Sequence, residues 1–444
     1  MIDNHNEVVL LGAGITGLAA ASELGESATV FERSERPGGL VKSHCFNDGY
    51  WFDHVLHIFH CNKPDILKKV NEIVGPLLAE CPPVAWIETA AGVVRYPFQL
   101  NLGSLSTEAK INCVKDFSHA FYQQKDFSGM SYGEYLTNAF GKTMCDLFYY
   151  PYNEKLWKLP LDEISTNGQL WNLHRPSFDE ILRGLVEPNV LRETYNTNAF
   201  YPRPEINAPL RGMEILSQGF SRKVKKLNLS SEIVHVNPRK RTVSYARNAQ
   251  VNEYRYDRHC LSTIPLPALM HLCEGVPDHL LRDVKKLKWI KVLSIALSIK
   301  GTRPVNPGCW RYFTDSEAPF TRLVFMTEFD PNNAPEEGWG LLIEIPLSAD
   351  YPSALEEPIQ EKAIKAIKKA GFVSDDHEII GIHKWLADPA YVVFTPETRQ
   401  IIDHCHEYLA QFDITSGGRY GSWEYSSMSR NIEDGFEIGK KLRG

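Results

Sequence analysis

Three observations predict an α/β chain with a Rossmann-like dinucleotide-binding domain, a helical insertion and an antiparallel-sheet substrate domain. An apolar run, Val8 to Leu11, feeds directly into Gly12-x-Gly14-x-x-Gly17. Residues 107–200 are rich in aromatic side chains at helical spacing. Residues 289–347 carry several separate strand-like runs: WIKVLSIALSI, CWRYF, RLVFMTEF and WGLLIEI.

The opening unit reads strand, glycine turn, small-residue helix (Leu18 to Leu24), second strand and then Glu32. In such a βαβ unit the first glycine permits the tight turn. The second lets the backbone approach a diphosphate, and the third brings helix and strand together. The helix N-terminus supplies N–H donors and the positive end of the helix dipole. Glu32 stands 20 residues past Gly12, where a carboxylate can accept from a ribose hydroxyl. The ordered set identifies a dinucleotide site.

At 444 residues the chain predicts two or three domains. Charged residues at 23% and hydrophobic ones at 43% are ordinary for a globular protein. A net charge of −7 argues against nucleic acid as a partner, so an anionic substrate needs locally placed arginines. No apolar run approaches the length of a transmembrane helix, and the N-terminus shows no leader pattern. Nine cysteines without a CxxC pair fit a reduced, cytoplasmic chain.

Taken in order, the chain next offers YWFDHVLHIFHC (50–61), with histidines at 54, 57 and 60. Metal ligation would need a helix to bring them to one face. Phe52, Ile58 and Phe59 favour strand or loop, so no metal site is read here. Residues 63–80 have amphipathic helical spacing, and 84–102 reads as a β-hairpin turning at Ala90-Ala91-Gly92. From about Leu210 the chain returns to the cofactor domain: a helix over 212–220, a strand at 232–236, a hairpin pairing 242–245 with 253–257, and the apolar run 260–269. A charged helix (356–370), the run 378–394 and a glycine turn feeding a last helix complete it. The domain division is thus 1–75, 210–275 and 396–444 for the cofactor domain, 76–209 for the hairpin and helices, and 276–395 for the antiparallel sheet.

A second glycine pair, Gly38-Gly39, follows Glu32 in RSERPGGLVKS. This resembles the extended FAD motif of the amine oxidase and protoporphyrinogen oxidase superfamily, and the resemblance implies FAD. The cofactor-binding set it implies is Gly12, Gly14, Ile15, Thr16, Gly17, Glu32, Arg33, Gly38, Gly39, Leu40, Ile233, Gly418 and Met428. Further segments, in order, are similar to the UDP-galactopyranose mutase family, in its eukaryotic-type branch. They are FDHVLH (52–57), YPFQ (96–99), PYNEKLW (151–157), Arg175, APFTR (318–322), DPAYVVF (388–394) and GRYGSWEY (418–425).

That resemblance implies a nucleotide-sugar mutase, an isomerase that interconverts pyranose and furanose forms with no net redox change. N5 of reduced FAD acts as nucleophile on the anomeric carbon, and NAD(P)H is a candidate reductant. Tyr96 and Phe98 would wall the base of a UDP-sugar and Gln99 would hydrogen-bond it. Arg175 and an asparagine, Asn196 or Asn198, would reach the nucleoside, with Asn153 and Trp157 lining the pocket. Arg322 and Arg419 would clamp the diphosphate with Tyr391 and Tyr425, and His57 would stand beside the flavin. The chain departs from the family at Val55-Leu56, where relatives carry Gly-Gly, and at Val392 and Ser429. The sugar and nucleotide therefore stay open, and so does an FAD-dependent oxidase or dehydrogenase, for which the glycine motifs are equally suited.

Overall fold

The computed structural model describes residues 7–47, 49–75, 78–123, 125–168, 173–189 and 198–443. The dinucleotide unit forms as its sequence dictates. Val8–Leu11 is fully buried at the centre of a five-stranded sheet, which explains why it is apolar on both faces. The strand order is Lys226–Asn228, Ala28–Phe31, Val8–Leu11, His259–Ser262, Ile414–Ser416, and every neighbour is parallel. Helix Ile15–Leu24 crosses between the first two strands, and the last helix, Met428–Arg443, lies along it. Their close approach requires small residues. A Cβ on Gly435 would stand 2.5 Å from the Thr16 carbonyl oxygen, and one on Gly439 would stand 2.7 Å from that of Ala20.

The second layer is a seven-stranded sheet ordered Glu378–Val393, Lys288–Lys300, Gly338–Ser348, Arg322–Phe325, Trp310–Phe313, Ala85–Thr89, Gly92–Arg95. All pairs are antiparallel except Trp310–Phe313 with Ala85–Thr89. The hairpin turns at residues 90–91 as expected, but its strands extend this sheet rather than standing apart with the helices. Helix Glu356–Lys369 covers one face through Ala363 and Ile367, against Leu293, Ile295, Leu341 and Ile343.

The helical insertion is present as Thr107–Tyr122, Tyr132–Phe140, Tyr150–Trp157 and Phe178–Val186, with shorter turns between. Two of these helices begin with a reciprocal capping box, Ser131 with Glu134 and Ser177 with Glu180.

Two expectations need correction. The helix expected over 63–80 is Pro64–Val74 and stops at Gly75 (φ 95°); Leu78–Glu80 is instead a strand paired with Ala199–Pro202. The strand at Glu232–Asn237 exists but belongs to a separate three-stranded antiparallel sheet with Thr242–Arg247 and Gln250–Arg255. The parallel sheet takes the shorter Lys226–Asn228 instead. Histidines 54 and 57 lie in the loop between strands Tyr50–Asp53 and Phe59–His60, and His60 lies on the second strand.

Candidate functional site

A cavity of about 1400 Å³ is lined by residues of both large sheets and of the helical insertion. One end is the glycine turn. Gly14 caps helix Ile15–Leu24 in extended conformation, with no side-chain acceptor for the first helical N–H groups. A Cβ on Gly14 would enter open space, so the bare backbone faces the cavity. The second glycine pair lies against the first: Gly38 N–H donates to the Ala13 carbonyl (2.8 Å), and a Cβ on Gly39 would stand 3.3 Å from Gly14 Cα. Residues 12–16 and 38–42 therefore make one continuous backbone cradle. Glu32, 7% exposed, accepts from Ala13 N–H and Ser34 N–H (2.9 Å each) and is fixed at the cavity edge. Bare amides at a helix N-terminus with a fixed carboxylate beyond them fit the diphosphate and ribose of a dinucleotide.

Of the cofactor set, Gly12, Gly14, Ile15, Thr16, Glu32, Arg33, Gly38, Gly39, Leu40, Ile233, Gly418 and Met428 all line the cavity. Gly17 does not. A Cβ there would stand 2.3 Å from the Gly12 carbonyl oxygen, so its place is in helix–strand packing.

Arg322, on strand Arg322–Phe325, also lines the cavity and faces Glu344 directly across the sheet. Its Nε donates to Glu344 Oε2 (2.6 Å), and Nη2 reaches the same oxygen. Glu344 also accepts the Leu56 N–H at Oε1 (2.7 Å). Both side chains are nearly buried, at 15% and 5% exposure. Burial opposes the charge of Arg322, but Glu344 and the phenols of Tyr391, Tyr312 and Tyr152 outweigh it and raise its pKa well above the ordinary value. Arg419, in the short helix Gly418–Gly421, is held differently. It donates to the carbonyls of Ser426 (2.6 Å) and Ala390 (3.3 Å), and lies 4.8 Å from the Tyr425 ring centroid and 5.2 Å from that of Tyr391. Trp157 closes this cluster, with centroids 6.1 Å from both tyrosines.

His57 also lines the cavity. Its pKa is lowered to about 4, first by burial and then by the Arg419 guanidinium, with Arg322 adding less. Its Nδ1 stands 3.1 Å from the Val55 carbonyl oxygen. Since a carbonyl only accepts, Nδ1 carries the proton and Nε2 keeps its lone pair.

Tyr96, Gln99, Asn153, Trp157, Tyr391 and Tyr425 also line the cavity. Gln99, Asn153 and Trp157 are engaged within the wall itself. Gln99 accepts from Tyr149 Oη (2.9 Å) and donates to the His174 carbonyl (2.8 Å). Asn153 accepts from Trp157 Nε1 (2.9 Å) and donates to the Tyr149 carbonyl (2.7 Å), so it braces the wall. Phe98 is fully buried against Phe148 and does not reach the cavity, because the turn Phe98–Leu100 directs it into the helical core. Arg175 is exposed and stacks on Phe127, 4.5 Å from its centroid, away from the cavity. Asn196 lies outside the described residues; Asn198 is exposed and bonds Asn62.

Sequence reasoning missed Glu344, Tyr152 and Tyr312, all on the cavity wall. Glu344 had a signal, being the one acid inside the apolar strand GWGLLIEIPLS. Tyr152 sits within PYNEKLW.

The sequence model of the NAD(P)-binding Rossmann-like domain matches residues 10–73. Among solved structures, the chain is similar to a reduced UDP-galactopyranose mutase at TM-score 0.89 and 22% identity, covering 98% of this chain and 93% of that one. It is also similar to the cyclohexylamine oxidase of Brevibacterium oxydans (TM-score 0.68, 13% identity, 99% of each chain). A fatty acid isomerase of P. acnes that produces CLA matches at TM-score 0.64 and 12% identity, again over 99% of each chain. The chain thus has, over nearly its whole length, the fold seen in UDP-galactopyranose mutase, built on a Rossmann-like dinucleotide-binding domain.

Proposed function

We propose that this protein is a flavin-dependent nucleotide-sugar mutase that interconverts the pyranose and furanose forms of a UDP-linked sugar. The observation carrying this reading is that one cavity joins the glycine cradle to Arg322 and Arg419 and to the phenols of Tyr152, Tyr312, Tyr391 and Tyr425. FAD fits the cradle: Gly12 to Thr16 would hold its diphosphate, Glu32 its ribose, and Gly38 to Leu40 the stretch leading toward His57. When bound and reduced, the flavin supplies a nucleophilic nitrogen, so the reaction requires no nucleophilic side chain.

The chain's own residues then bind and orient. Arg419 offers a guanidinium held by backbone carbonyls and ring faces rather than by a carboxylate among the described residues, so its charge is available to a diphosphate. Arg322 presents its remaining N–H donors from a fixed position, because Glu344 holds one edge. The phenols of Tyr152, Tyr312 and Tyr425 have raised pKa values, chiefly through burial, so they stay protonated and donate to phosphate oxygens. Neutral His57, which lines the cavity, keeps an accepting Nε2 while Nδ1–H is tied to Val55. Tyr96 and Trp157 form apolar walls that exclude water from the diphosphate as it departs and returns.

An oxidase or dehydrogenase is the second reading, favoured by the fold shared with cyclohexylamine oxidase. Titrating FAD-loaded protein with UDP separates the two at the binding step. The mutase reading expects saturable UDP binding that perturbs the flavin absorbance and is lost in Arg419→Ala. Absence of UDP binding to the loaded protein would remove it.

A further inference from the structure

A single ammonium ties together two segments that build the arginine cluster. Lys155 stands in the last turn of helix Tyr150–Trp157, which carries Tyr152, Asn153 and Trp157 on the cavity wall. Its Nζ donates to the carbonyls of Phe313 (3.0 Å), Asp315 (2.5 Å) and Phe320 (3.2 Å). Those carbonyls belong to the loop that joins strand Trp310–Phe313 to strand Arg322–Phe325. Phe313 follows Tyr312 directly, and Phe320 stands two residues before Arg322. Lys155 does not line the cavity, so it reaches the site only through these neighbours.

The same two segments meet again on the cavity wall, where the rings of Tyr152 and Tyr312 lie 5.2 Å apart, edge to face. A lysine ammonium carries three N–H donors and no acceptor, and here each donor has a carbonyl. Such charge-assisted bonds are stronger than neutral ones. Burial lowers the Lys155 pKa to about 8. The Asp315 carboxylate on the loop opposes that shift, while Lys158 at the end of the same helix and Lys362 on helix Glu356–Lys369 add to it. A neutral amine has only two N–H donors, so deprotonation frees one carbonyl and weakens the other two bonds.

Resting on the mutase reading above, we propose that Lys155 is a positioning residue for the substrate diphosphate. It fixes Tyr152 and Trp157 on the helix against Tyr312 and Arg322 on the sheet, and so sets the width of the site that receives the anion. The protonated side chain holds the binding geometry.

The test is isothermal titration of UDP into FAD-loaded wild type, Lys155→Met and Lys155→Arg at pH 7, 8 and 9, with retained flavin absorbance as the check on folding. Lys155→Met keeps an apolar stem without donors and should bind UDP about tenfold more weakly at pH 7. Lys155→Arg, charged throughout this range, should restore binding and hold it across the series. Wild type should lose at least about threefold in affinity between pH 7 and 9 relative to Lys155→Arg. A bracing role in the fold alone would lower the melting temperature and leave these profiles parallel. If Lys155→Arg does not fold, wild type must fall toward a level profile of Lys155→Met. Wild-type affinity in Lys155→Met, or parallel profiles, overturns the positioning role alone. Absence of UDP binding to wild type at every pH overturns the mutase reading together with it.

Discussion

The buried Arg322–Glu344 pair gives a prediction whose sign depends on both partners. On the proposed reading, Arg322→Ala removes charge-assisted hydrogen bonds to a bound diphosphate, which contribute about 1.5–3 kcal/mol, or roughly 10- to 150-fold in Kd. It also strands the nearly buried Glu344 carboxylate, which among the described residues keeps the Leu56 N–H, on the wall of the proposed anion site. A like charge about 6 Å from a phosphate costs between about 1 kcal/mol at an effective dielectric of ~60 and about 3 kcal/mol at ~20. Adding Glu344→Gln removes that repulsion while the amide oxygen still accepts from Leu56. The double variant should therefore bind UDP at least about fivefold more tightly than Arg322→Ala alone. Isothermal titration of UDP into the four FAD-loaded proteins of the cycle reads this directly, with retained flavin absorbance as the check on folding. A double variant that binds no better than Arg322→Ala would refute the placement of Glu344 at the anion site.

Other outcomes are expected. On the proposed reading the glycine cradle and Glu32 would hold FAD, so His57→Ala should retain it and should impair turnover of the reduced protein; wild-type kcat would make His57 a packing residue only. Stability should fall on acidification below about pH 6.5 and collapse toward pH 4. His44, His54, His57 and His60 are held to about 4, 3, 4 and 4, mainly by burial, so the unfolded chain binds protons there that the native one does not. Asp53 and Asp434, raised to about 6 by burial, act in the opposite direction, but two carboxyls are outnumbered by four imidazoles. Thermal melts between pH 7 and 4 check this, and a melting temperature that rises on acidification would contradict it.

The cofactor end was legible because it is local. Residues 12 to 39 carry both glycine pairs and Glu32, and the contacts among them span fewer than thirty positions. The arginine cluster was legible only in part, since its members come from separate strands and helices. Arg322 and Arg419 stand out as arginines within aromatic motifs, but the partner of Arg322 is set by strand register. No spacing rule names Glu344, although an acid in a fully buried strand signals a paired charge. Phe98 was misplaced because Tyr96 and Phe98 read alike in sequence, whereas a single 3₁₀ turn sends one to the cavity and the other to the core. Strand Lys226–Asn228 escaped notice because an edge strand of three half-buried residues needs no apolar pattern.

The central claim is that the cavity carries out isomerisation without net electron transfer. Its most direct test is anaerobic incubation of the FAD-loaded, dithionite-reduced protein with UDP-galactopyranose and a panel of other UDP-sugars. The account predicts that the furanose form of at least one UDP-sugar accumulates only with reduced protein, while the flavin spectrum stays reduced throughout. No furanose from any of them, together with bleaching of the oxidised flavin by an amine, would contradict it.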